Sequence, residues 1–142
     1  MLLVLVLGCN NTKEDSLLAE AAKIHEQAAK IEQQIRPQVS ALVQQKNSIN
    51  VQGRALAPEE IAFVQTVESI EAGHQFWKEN HLEVPGYEHH DHDHADHDHN
   101  HAPKLELLPA DMLAVQKEFR DTLLAVQQRI EMALQQAERL EK

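Results

Sequence analysis

Apolar residues recur along this chain in alternating steps of four and three, and three stretches carry the rhythm. In the first, Leu17, Ala21, Ile24, Ala28, Ile31 and Ile35 fall on one stripe of a helix, because a helical turn takes 3.6 residues. The seam shifts at Val39, Leu42 and Ile49, after Pro37. A proline inside a helix removes one hydrogen bond and crowds the preceding turn, so the pattern predicts a kink there or two abutting helices. Gly53 and Pro58 close the segment. Pro58, Glu59 and Glu60 mark a second helix start, with the proline suited to the first turn and the acids to the positive end of the dipole. Phe63, Val67, Ile70, His74, Trp77 and His81 continue that stripe until Pro85-Gly86. Pro109 and Asp111 open a third helix, whose stripe is Met112, Phe119, Leu123, Val126, Ile130, Ala133, Ala137 and Leu140.

No period-two strand pattern lies between turn residues. The expectation is therefore an all-α fold: three long helices, over roughly 13–51, 58–82 and 109–141, in an up-down-up bundle or antiparallel coiled coil. Residues 16–142 form one domain, in which 84–108 is a disordered His/Asp-rich loop between the second and third helices. Each stripe covers one face only, so the helices must pack on one another or on another copy. A homodimer and a helical protein partner both stay open.

Composition narrows the function. The apolar residues are mainly Ala, Leu, Ile and Val, with Phe63, Phe76, Trp77, Tyr87 and Phe119 the only aromatics, a mix that suits helices packed side by side. The net charge of −10, from 13 Lys and Arg against 23 Asp and Glu, argues against nucleic acid as a partner, since phosphates need a basic footprint. It argues equally against binding to an anionic membrane surface. Protonating all ten histidines would bring the charge to zero, so mild acid is expected to alter solubility and self-association. Signs of catalysis are lacking. Gly8, Gly53, Gly73 and Gly86 are scattered singly, and there is no phosphate loop, His-Glu-x-x-His pair, nucleophile elbow or Cys-His arrangement. The pairs Glu59/Glu60 and Glu68/Glu71 read as the solvated face of amphipathic helices. No catalytic residue is assigned, and no enzyme is expected.

The chemistry concentrates between Glu88 and His101, where seven of ten histidines and five carboxylates fall in fourteen residues. Neutral imidazole offers a lone pair near neutral pH, and interleaved carboxylates add oxygen ligands or offset a cation's charge. His89, His90, His92, His94, His97, His99 and His101, with Asp91, Asp93, Asp96 and Asp98, are the candidate metal ligands. Nitrogen and oxygen ligation suits zinc first, with nickel, copper(II) or cobalt as alternatives; without thiolates it disfavours copper(I). The bland alternative is a polar low-complexity linker or a pH-responsive loop. A hairpin turning near residue 54 would set position 81 level with about 27, which makes His25, Glu26 and His81 a second candidate site. A seam histidine is more often a half-buried core residue with one hydrogen bond than a ligand.

At the N-terminus, Met1 to Gly8 form an apolar run ending before the single cysteine, Cys9. Val6-Leu7-Gly8-Cys9 resembles a bacterial lipobox, which implies cleavage of segment 1–8, acylation of Cys9 and a tether over 9–15. The chain departs from that pattern at its start, where no Lys or Arg precedes the apolar run, as a start codon placed too far downstream would explain. Eight helical residues would reach only about 12 Å of a roughly 30 Å hydrocarbon core, so the membrane contact expected is a lipid anchor. Lys13-Glu14-Asp15 resembles a surface-export signal of Bacteroidota lipoproteins. With Pro37, Phe76-Trp77, Val84-Pro85-Gly86-Tyr87-Glu88 and Met112-Leu113, the chain resembles a group of short helical lipoproteins from Bacteroidota. The resemblance implies a helical fold and a place in the cell envelope, at the periplasmic or surface face of the outer membrane. It implies no mechanism.

The combined expectation is a lipid-anchored envelope protein that sequesters or delivers divalent metal. Its rivals are a helical adaptor lipoprotein with an incidental loop and a periplasmic metal or stress sensor, similar in outline to the helical-hairpin sensors of heavy-metal resistance.

Overall fold

The computed structural model describes residues 11–50, 53–87 and 107–140. They form three α-helices packed against one another, α1 (Asn11–Asn50), α2 (Pro58–Asn80) and α3 (Pro109–Leu140), and no strand occurs among them. None of these helices is long and apolar enough to cross a membrane.

The first helix runs through Pro37 as one element of 40 residues, so the alternative of two abutting helices is set aside. The reason lies in exposure. Pro37 and Gln33, whose carbonyl loses its helical donor, both face solvent, where water can replace the missing N–H. At the start of α2, Pro58 occupies the first turn, and the Glu60 carboxylate accepts the Ala57 backbone N–H at 2.8 Å. Arg54 also bonds Glu60, and these two hydrogen bonds, Arg54 first, hold that carboxyl at about 2.

The three stripes meet in one long apolar cluster. It contains Ala28, Ile35, Val39, Leu42 and Ile49 of α1, Phe63, Val67, Ile70 and Trp77 of α2, and Phe119, Leu123, Val126, Ile130, Ala133 and Ala137 of α3. Removing a leucine- or phenylalanine-sized side chain from water contributes roughly 1.5–3 kcal/mol, so this cluster is the main source of stability. Contacts give the register. Gly73 lies against Val126, Phe76 against Phe119 and Leu82 against Gln116, so α3 numbers fall as α2 numbers rise. Between α1 and the α2 side, Lys46 pairs with Glu71, Glu32 with His74, and His25 lies beside Glu83.

A second, smaller cluster joins Ala21 and Ile24 of α1, Met112 and Leu113 of α3, and Val84, with Leu17, Leu18, Ala22 and Leu107 packed on it. Val84 is there because of a tight turn. Pro85 supplies a fixed φ and Gly86 a φ of 80°, and the Tyr87 N–H bonds back to the Val84 carbonyl at 3.0 Å. Val84 and Leu107 thus fix both flanks of segment 88–106 in the same cluster, beside the N-terminal part of α1 and the start of α3.

Candidate functional site

The loop ligands His89, His90, Asp91, His92, Asp93, His94, Asp96, His97, Asp98, His99 and His101, like Cys9, lie outside the described residues. What the structure supplies is the end of the bundle from which that run departs. Its chemistry begins with His25, whose ring is buried between α1 and α3, 7 % exposed.

The contacts of Gln116 determine which way the His25 ring works. The Gln116 side-chain NH2 donates to the Leu82 carbonyl at 2.6 Å and lies 3.6 Å from Met112 Sδ. A reversed amide would set two oxygens against each other at that distance, so Oε1 is the atom facing His25 Nδ1, at 3.2 Å. An amide oxygen only accepts. His25 therefore donates Nδ1–H, and in the neutral ring the lone pair is on Nε2, which lies 3.7 Å from Glu83 Oε2.

The other members of the second candidate site point elsewhere. Glu26 follows His25 by one residue, about 100° around the helix. It is exposed and bonds Lys30 at 2.6 Å. His81 sits at the C-cap of α2, stacked on the Trp77 ring at 4.5 Å and 11°, with Nδ1 turned to the Trp77 and Lys78 carbonyls at 3.2 and 3.1 Å. Among the described residues no group of three or more His, Cys, Asp or Glu is placed to hold a metal ion, so the structure does not bring His25, Glu26 and His81 together. The acid beside His25 is Glu83.

A second polar cluster lies further along α1. Glu32 is 3 % exposed and accepts from His74 Nε2 at 2.9 Å, Arg36 Nε at 2.9 Å and Arg36 Nη2 at 2.6 Å. Burial alone would raise its carboxyl, but the hydrogen bonds from His74 and Arg36, with their charges, outweigh that and hold it at about 2. The carboxylate stays ionised in the bundle because donors meet both of its oxygens. His74 also borders an open groove of about 480 Å³ with Val39, Val43, Glu68, Glu71, Ala72 and Gln75. Nearby, the buried Trp77 indole N–H has no acceptor among the described residues.

Reading the stripes alone missed Glu32, Glu83 and Gln116. For two of them a signal existed. Glu32 completes a four-three step from Ala28 to Ile35, and Gln116 completes one from Met112 to Phe119. A polar residue at a seam position is a buried polar residue, and such residues need partners. Glu83 left no such signal, because it follows the end of α2.

No protein-family model, curated protein or solved structure matches the chain. Fold and site together define a three-helix protein with a buried polar clamp at the root of its histidine run.

Proposed function

We propose that this chain is a lipid-anchored protein of the bacterial envelope that binds divalent transition metal, zinc first, through the His/Asp run, for sequestration or delivery. The observation that carries the reading is the density of ligands, seven imidazoles and five carboxylates between Glu88 and His101. Two structural features support it. Segment 88–106 leaves and rejoins the bundle at one cluster, with Val84 and Leu107 as its flanks, which keeps its ligands at a common origin. That cluster includes Leu17 and Leu18, eight and nine positions beyond Cys9, so in an up-down-up bundle the metal run and the lipid anchor share one end. The opposed numbering of the α1–α2 and α2–α3 contacts favours that topology.

The test is calorimetric titration of Zn²⁺ and Ni²⁺ into the chain from Asn10 onward, beside a version with all seven loop histidines replaced by serine. Micromolar or tighter binding of several ions, reduced to at most one by the serine replacements, is the expected result. Equal binding by both versions would refute the loop as the ligand and favour a helical adaptor.

A further inference from the structure

We infer that His25 Nε2 and the Glu83 carboxylate form a separate, ordered binding site for one divalent transition-metal ion, with Gln116 fixing the imidazole in its ligating tautomer. One chain of hydrogen bonds orients the ring. The Leu82 carbonyl orients the Gln116 amide, the amide oxygen takes the His25 Nδ1–H, and the Nε2 lone pair is left facing Glu83. A ring that donates one N–H to an oxygen while presenting its other nitrogen is the usual second contact of a metal-binding histidine.

The spacing leaves room for an ion between the two groups. Two acceptors, a lone pair and a carboxylate, face each other at 3.7 Å, which exceeds a hydrogen bond. An ion at zinc's ordinary distances, about 2.0–2.1 Å to nitrogen and 2.0–2.2 Å to oxygen, would see the two atoms at about 125°, near the tetrahedral angle. The Glu83 side chain is 54 % exposed and free to close the remaining difference, while His25 is held at 9 %. The two protein ligands leave the other coordination positions to water, so binding is weak and exchangeable. This site is built entirely outside the histidine run and stands whether or not that run binds metal.

The experiment uses the serine-replaced chain, in which His25, His74 and His81 are the only imidazoles. Ring ¹⁵N spectra are followed during Zn²⁺ titration. The expected result is a saturable shift of His25 Nε2, with Nδ1 still protonated and the His74 and His81 signals unmoved. Glu83→Gln, an exposed change that leaves the fold intact, should weaken the saturation at least about tenfold. Gln116→Leu should mix the two His25 tautomers before any metal is added. His25 signals that stay fixed through excess Zn²⁺, or saturation that Glu83→Gln leaves unchanged, would overturn the site. Failure of the loop reading is a different result, in which the unaltered chain binds no more ions than the serine-replaced one.

Discussion

The two clusters of this bundle follow different rules although α1 and α3 run through both. The long cluster is helix against helix, with side chains drawn from the repeating stripe and Phe63, Val67, Ile70, Leu123, Val126 and Ala133 fully buried. The small cluster needs Val84 and Leu107, which belong to no helix, and beside it Gln116 and His25 are buried as a hydrogen-bonded pair. Apolar burial is non-directional and tolerates repacking, whereas a buried amide demands particular partners. The first region supplies stability, and the second holds the flanks of the histidine run in place.

The sharpest way to break that contrast is Phe63→Ala. Phe63 is wholly buried in the long cluster, so the change should cost about 3–5 kcal/mol. Chemical denaturation followed by helical circular dichroism should then show both clusters melting together at lower denaturant.

Acid probes the polar inclusion within the long cluster. The Glu32 carboxyl is held at about 2 against an ordinary value of 4.5, so the unfolded chain binds the extra proton first. Stability from this group is complete above about pH 4.5 and is lost as pH falls toward 2, an effect on the order of 2–3 kcal/mol. Glu32→Gln should therefore be less stable than the parent at pH 7, and the gap should close near pH 2. Glu60 titrates over the same range but is present in both proteins and cancels. Urea midpoints at the two pH values measure the difference, and a constant gap would count against it.

At the small cluster, Gln116→Leu leaves the Leu82 carbonyl and the His25 N–H without their partner, for about 2 kcal/mol. The loss should be local. Amide exchange should quicken over residues 82–87 and stay slow around Phe63 and Leu123, and uniform acceleration would erase the distinction between the regions.

The smallest effect tests the packing between α2 and α3. A Cβ at Gly73 would sit 2.7 Å from Val126 Cγ2, and Val126 is fully buried and stiff at χ1. Alanine gains about 1 kcal/mol of helix propensity but over-packs by about 1–3 kcal/mol. Gly73→Ala should thus destabilise by about 1 kcal/mol, seen as a small drop in the thermal midpoint.

The sequence alone determined the three helices, to within two residues at each end, and the stripe that each buries. Helical period and proline or glycine punctuation are local properties, and burial follows from them. It also carried the metal hypothesis, because ligand density is a matter of composition. Only the tertiary structure decided how the polar residues pair. Adjacent positions on α1 diverge by about 100°, so His25 turns inward to Gln116 while Glu26 turns out to Lys30. Likewise Glu32, whose place on the stripe foretells burial, meets its partner only when His74 reaches it from α2 across 42 positions of chain. Such pairs depend on the rotation and register of separate helices, which no local pattern encodes. Continuity of α1 through Pro37 was decided at the same level, because exposing that turn leaves its carbonyl to water and leaves the apolar face on either side in contact with the bundle.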